Sequence, residues 1–218
     1  FGNTMSNNLI IGYTKVNDNR DPLGDPFPYV RIDDEDGGRI IFGSERFSTA
    51  NVLEQDIFTI TDNFKMYKGK HTLTFGTHNE FYSIRNVFLP YNYGEYRFRS
   101  LDDFLEGEPA SFYQRVYSLA DDDVVGDETS AAADFNAMQL GFYAQDEIAI
   151  TNKLTLTAGL RLDIPVITDD PEVSDAFNND IAPNLEAAYD EFDGQLISGQ
   201  APSGQLMLSP RLGFNYQM

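Results

Sequence analysis

Six stretches of the chain, 7–16, 51–66, 70–83, 137–150, 153–164 and 205–217, alternate apolar with polar or small residues. A period of two sends successive side chains to opposite faces and marks strands, because an amphipathic helix repeats near 3.6 instead. The pattern is sharpest in Leu154-Thr155-Leu156-Thr157-Ala158-Gly159-Leu160-Arg161-Leu162-Asp163-Ile164. There the even positions are aliphatic or Ala, and the odd ones are Thr, Thr, Gly, Arg and Asp. Leu73, Phe75 and Phe81 oppose Thr72, Thr74, Gly76, His78 and Glu80 in the same way. So do Met138, Leu140, Phe142 and Ala144 against Gln139, Gly141, Tyr143, Gln145 and Glu147, and Leu212, Phe214 and Tyr216 against Arg211, Gly213 and Asn215. Thr, Gly and β-branched residues interrupt any helical reading. The fold class is all-β.

The connections alternate in length. Lys68-Gly69 and Thr151-Asn152 suit tight antiparallel hairpins, whereas 17–50, 84–136 and 165–205 are far longer than a compact soluble domain ordinarily tolerates. Short turns at one end and long loops at the other are the plan of a transmembrane β-barrel, whose strands need about 9–11 residues to cross hydrocarbon. The expectation is an antiparallel transmembrane β-barrel segment with extracellular loops 17–50, 84–136 and 165–205. Strands 7–16, 70–83 and 153–164 then run outward and the other three inward. A soluble antiparallel sandwich also alternates; strand length and the one-sided loops favour the membrane.

Charge supports the same polarity. The chain carries a net −20, and the three long segments hold 28 of its 35 acidic residues but only 8 of its 15 basic ones. The rest is neutral, and four of the five lysines (Lys65, Lys68, Lys70, Lys153) sit at the short turns. Such acidity argues against nucleic acid, which needs clustered Lys and Arg. The absence of Cys excludes disulfides and Cys-based zinc sites. Bacterial barrels close with at least eight strands. Six therefore leave two open edges, to be completed by 38–47 or by a longer protein. The longer protein is expected, since the chain begins within the pattern and ends at Gln217-Met218 without a terminal aromatic.

Asp62-Asn63-Phe64 followed by Gly69-Lys70-His71-Thr72-Leu73-Thr74-Phe75-Gly76 resembles a hairpin of TonB-dependent outer-membrane receptors. Gly141-Phe142-Tyr143-Ala144-Gln145-Asp146-Glu147 with Leu154–Asp163, and Ser209-Pro210-Arg211-Leu212-Gly213-Phe214, are similar to later strands of that family. Ser100-Leu101-Asp102-Asp103-Phe104-Leu105-Glu106-Gly107 resembles a loop element of its Oar-like branch, known from Bacteroidota and relatives. The resemblance covers about half the chain. It implies about six strands of a 22-stranded, multi-pass barrel in the outer membrane. It also implies a separate N-terminal plug outside this stretch, and uptake of an unidentified substrate on energy delivered through TonB. The partners so implied are outer-membrane lipid, the TonB system through that plug, and an extracellular ligand or surface protein. The alternatives are a surface barrel that docks a secreted or surface partner, and a passive porin.

Residues with chemistry are few. Tyr91, Tyr93 and Tyr96, with Phe98, form the densest aromatic cluster, either a ligand-stacking surface for substrate or rings packed on neighbouring loops. Asp33-Asp34-Glu35-Asp36-Gly37-Gly38 and Asp121-Asp122-Asp123 offer hard oxygen donors for calcium, but neither has EF-hand spacing, and a solvated acidic loop is the plainer expectation. His71 and His78 fall on opposite faces of one strand and cannot share a metal. His78 is expected to face the lumen as a plain polar lining residue, and Glu80, Tyr82, Arg161, Asp163 and Arg211 to face it too, pairing with one another across strands in preference to touching a plug or a substrate. No cofactor is called for. No nucleophile elbow or phosphate-binding glycine loop is present, and the chain is not expected to be an enzyme. Ser100 reads as the N-cap of a short helix that Gly107 ends.

Overall fold

Tight turns need a residue that accepts positive φ. Gly69, at φ 64°, occupies the first central position of the turn between Lys68 and His71, as a type II′ hairpin requires. At the next hairpin the Thr151 hydroxyl accepts from the amides of Lys153 and Leu154. The computed structural model describes residues 2–218 apart from 21, 35, 119–124, 127–130, 193, 195 and 203. In chain order it contains β1 (Met5–Asn19), β2 (Tyr29–Asp33), β3 (Arg39–Phe42), β4 (Asn51–Lys68), β5 (His71–Phe88) and β6 (Glu95–Phe98). Helix α1 (Leu101–Leu105), β7 (Phe112–Gln114), β8 (Ala133–Ala149), β9 (Leu154–Ile167), helix α2 (Ala182–Ala188) and β10 (Met207–Tyr216) follow.

The long strands form one antiparallel meander, β1-β4-β5-β8-β9-β10, each paired with its sequence neighbour among them. Its edges, β1 and β10, are open, and the sheet does not close on itself. All six alternating segments are strands of this sheet. Several run further than alternation predicts: β4 and β5 have 18 residues each, and β5 continues to Phe88. The extra length lies at the loop end, where the outward positions are Glu54, Asp56, Ser83, Arg85, Asp134 and Asn136. Once a strand leaves hydrocarbon its outer face need no longer be apolar, so the alternation fades while the backbone ladder goes on.

Register divides the sheet into two faces. Leu154, Leu156, Ala158, Leu160, Leu162, Ile164 and Val166 give β9 an unbroken apolar side. At about 3.3 Å per residue and a tilt near 40°, it reaches roughly 30 Å in height, the thickness of a hydrocarbon core. Its row-mates include Ile11 and Ile60, with Asn79 between them and Leu140, and Tyr13, Phe58 and Phe81 beside Met138. Lys15 with Asp56 and Arg85 with Asp134, both at 3.7 Å, lie above this belt, whereas His71 with Asp146 at 2.7 Å lies in its lower part, level with Leu156 and Ala158.

The opposite face carries the glycines. Gly12, Gly76, Gly141, Gly159 and Gly213 all lie on it. A Cβ at Gly76 would overlap the Tyr143 ring, which lies flat across that backbone and donates its hydroxyl to Asn63 Oδ1 at 2.6 Å. The Arg161 guanidinium covers Gly141 in the same manner.

Two of the three loops are woven into a second, four-stranded sheet, β3-β2-β6-β7, with β2 and β6 parallel. The segment 38–47 thus does add sheet, in this roof and not in the barrel wall. A small core of Ala50, Val52, Val87 and Leu89 joins roof to wall, with Val116, Ala131 and Ala132 against it. Helix α1 is capped as its sequence predicts: Ser100 Oγ accepts from the Asp103 amide at 3.0 Å, and Gly107 adopts φ 74°. The third loop is clasped by Ser198, whose hydroxyl accepts from the Ser174 amide at 2.8 Å while its own amide donates to Asn178.

Replacing Gly76 by Val is expected to displace Tyr143 and cost about 1–3 kcal/mol, as overpacking does. Combining it with Tyr143→Ala removes the clash, so the double variant is expected to lose less than the sum of the singles. Urea unfolding of the full-length protein in micelles measures both.

Candidate functional site

Two surfaces carry polar groups in fixed geometry. The first is the glycine-bearing face. Thr61, His78, Tyr143, Gln145, Arg161, Ser209 and Arg211 line a concavity of about 330 Å³. His78 Nδ1 shares a hydrogen bond with Thr61 Oγ1 at 2.7 Å across β4 and β5, and its Nε2 lies 3.6 Å from Glu80. Tyr82 donates to Glu80 at 2.5 Å. Arg161 is held by Asp163 at 2.8 Å and sits 5.6 Å from the centre of the Tyr143 ring, and Gln139 donates to Asp163 at 3.3 Å. His78, Glu80, Tyr82, Arg161, Asp163 and Arg211 therefore share one face. His71 lies on the other, against Asp146. The charged side chains of this face find partners along their own strands: Arg161 pairs with Asp163, and Glu80 accepts from Tyr82, each two residues apart. Tyr143 and Asn63 complete this face, and only the register joining β4, β5 and β8 places them together.

The second surface is the roof. Its centre is Glu95, fully buried, whose Oε1 accepts from Arg97 Nε at 2.8 Å and from Arg46 at 3.4 Å. The Glu95 carboxylate raises the Arg97 pKa above its ordinary value. Arg46 also lies over three rings, Tyr29, Phe47 and Tyr91, at 5.0, 5.2 and 5.8 Å. A guanidinium suits that place because its faces stack on rings while its edge donates to a carboxylate.

The three sequence-marked tyrosines are half-buried parts of this roof. Tyr91 takes the left-handed conformation at φ 57° in a turn closed by the Gly94 amide, and packs edge-on against Phe47. Tyr93 lies against Gly126. Tyr96 meets Tyr113 at 4.8 Å, and burial first, then Tyr113, raises its pKa. Rings with more open faces come from β7 and beyond, Tyr113 and Tyr117. Sequence reasoning did not single out Arg46, Glu95 or Tyr113. Arg46 and Glu95 are 49 residues apart in different loops, and nothing local connects them.

The acidic hairpin tip is occupied by the chain's own cations. Asp33 accepts from Arg31 at 2.8 Å and from Arg39 at 3.2 Å, and the Arg31 bond leads in holding its pKa below the ordinary value. Glu35 and Asp121-Asp122-Asp123 lie outside the described residues. Among the described residues, no three His, Asp or Glu side chains gather to hold a metal. In the third loop, Asp169 accepts from the backbone and side-chain amides of Asn136 at 2.5 and 2.9 Å. The backbone bond leads in lowering its pKa.

Glu95→Ala leaves two guanidiniums facing each other in the roof and is expected to cost about 3 kcal/mol of local stability. Faster hydrogen exchange at 29–33 and 95–98, with the wall unchanged, is the measurement. Asp169 has a folded pKa below its ordinary 3.8, so its anchoring contribution is complete above that value and is lost as pH falls through the folded pKa. Protection of the Asn136 amide is expected to drop over that interval, and in Asp169→Asn the carboxylate's acid transition is expected to be absent.

A family described as outer membrane beta barrel domain matches the chain over residues 1–218. Neither curated proteins nor solved structures gave a match.

Proposed function

The chain belongs to the outer-membrane β-barrel domain family, and from that premise we propose that it forms a sector of the wall of a TonB-dependent receptor that takes up a substrate across the outer membrane. The observation that carries the reading is the division of one sheet into a lipid-height apolar face and a polar, glycine-bared face, with all three long loops at a single rim. A transporter needs this arrangement: lipid outside, a polar path inside, and a folded capture surface above. The Asp62–Gly76 hairpin and the Gly141–Asp163 hairpin, which resemble those of TonB-dependent receptors, favour that class over a passive porin. Tyr91, Tyr93 and Tyr96 shape the roof under which substrate enters, and the polar face with His78, Arg161 and Arg211 lines the passage. On this reading the barrel has 22 strands and its plug comes from outside this stretch.

A second reading, a docking scaffold, is favoured by one feature. The roof's edge strand β3 leaves Ile40, Ile41 and Phe42 exposed, as a strand-pairing site for a partner would.

Cells carrying the full-length protein decide between them. For a TonB-dependent receptor, ligand binding is expected to survive collapse of the proton gradient while accumulation stops. Accumulation that persists without the gradient points to a porin. Binding with no accumulation under any condition, together with a stoichiometric co-purifying protein, points to a scaffold.

A further inference from the structure

One margin of the roof is a bare strand edge. Strand β3 pairs with β2 alone, and all four of its residues, Arg39–Phe42, are exposed. The Asp34 amide donates to Gly38 at 2.9 Å, which sets the ladder bonds of this hairpin at the pairs Ile32–Ile40 and Val30–Phe42. Arg39 and Ile41 therefore turn their N–H and C=O groups away from β2, towards the open edge. Edge strands ordinarily carry Pro, Lys or a bulge against such pairing. β3 has none of these, and its single charge, Arg39, is drawn back to Asp33 at 3.2 Å. Ile40 and Phe42 continue the apolar face formed by buried Val30 and Ile32 with Phe98. Phe104 of α1 lies over that face and meets the rings of Phe42 and Phe98, at 5.7 and 5.2 Å. Acid brackets the strand, with Asp34 and Asp36 at the hairpin tip and Asp102, Asp103 and Glu106 on and beside α1. None of these five carboxylates has a cation partner among the described residues.

We propose that β3 takes up an extended segment of another protein as a further strand of the roof, and that this segment is apolar at its centre and flanked by Lys or Arg. The inference rests on the docking reading above and names the chemistry of its partner. Main-chain bonds to Arg39 and Ile41 supply the affinity, as in other strand additions. Apolar side chains of the incoming strand extend the face of Ile40 and Phe42 and shield it from water. Cationic ones beyond them reach Asp34 and Asp36 at one end and the α1 carboxylates at the other. Charge selects the partner. An acidic segment would add to the repulsion of loops that already hold the whole net charge of −20, and a second copy of this roof would bring the same acids to the same place.

Calorimetric titration of the full-length protein in micelles tests this with the peptide Lys-Lys-Thr-Val-Thr-Ile-Thr-Val-Lys-Lys and its counterpart bearing Glu at every Lys. The Lys peptide is expected to bind, to slow hydrogen exchange at the Arg39 and Ile41 amides, and to weaken as salt is added. The Glu peptide is expected to bind about tenfold more weakly or not at all. Ile41→Pro removes an outward N–H without breaking a bond to β2, and is expected to lower the affinity about tenfold, whereas Ile41→Thr keeps the N–H and the binding. Asp34→Asn with Asp36→Asn changes only exposed side chains of the tip, and is expected to lower the affinity about fivefold without risk to the fold. No binding of the Lys peptide, equal binding of the two peptides, or full affinity in either the Pro or the Asn variant would each overturn the proposal. So would Arg39 and Ile41 amides that are protected before peptide is added, since another loop or a second copy would then hold the edge. A stoichiometric partner that leaves those amides unprotected would overturn this inference while the docking reading stands.

Discussion

A peptide group in hydrocarbon has no water to bond, so every N–H and C=O within the belt must find another strand. This requirement explains the shape of the molecule better than any side-chain contact does. It makes the six long strands a single uninterrupted ladder, in which each pairs with its neighbour along the chain. It also dictates the turns at the short-loop end. The strands must reverse within a few residues, and Gly69 and the Thr151 hydroxyl supply the means.

With the backbone settled, side chains are free to divide by solvent. Most outward positions in the belt are aliphatic or aromatic, as contact with acyl chains requires, and the polar ones among them, Asp62, Thr77, Asn79 and Asp146, are each bonded to a neighbour in the sheet. Inward positions follow a different rule. Glycines there let Tyr143 and Arg161 lie flat against the sheet, each pinned by a neighbour, so the polar face is furnished with side chains held at fixed positions.

Above the belt the constraint relaxes, and the chain spends its acidic residues there. A surface bearing the whole net charge of −20 repels itself, yet the roof is ordered. Guanidiniums reconcile the two: Arg46 and Arg97 share Glu95, and Arg31 and Arg39 share Asp33. Each of these arginines belongs to a loop, and Arg46, by reaching Glu95, ties the first loop to the second. Glu95, the centre of that arrangement, is fully buried while its partners remain partly open to water.

The strands, their antiparallel order, the two faces and the gathering of the long loops at one end of the sheet were legible in the sequence, because a face turned to lipid imposes a period-two pattern that no distant contact can alter. The N-cap at Ser100 was legible for a similar reason, since capping acts over three residues. Membership of the outer-membrane barrel family agrees with this reading. The roof was not legible. Its parallel pairing of β2 with β6 joins residues from separate loops, and short strands in water carry little periodicity. Tyr91, Tyr93 and Tyr96 stood out as a cluster in sequence, but their surroundings depend on Phe47 and Tyr113 from other segments. The extension of β5 to Phe88 was hidden too: above the bilayer, hydrogen bonds to β4 and β8 hold the strand without any demand on what its side chains are. Local solvent determined what could be read along the chain, and only the tertiary structure decided which loops meet.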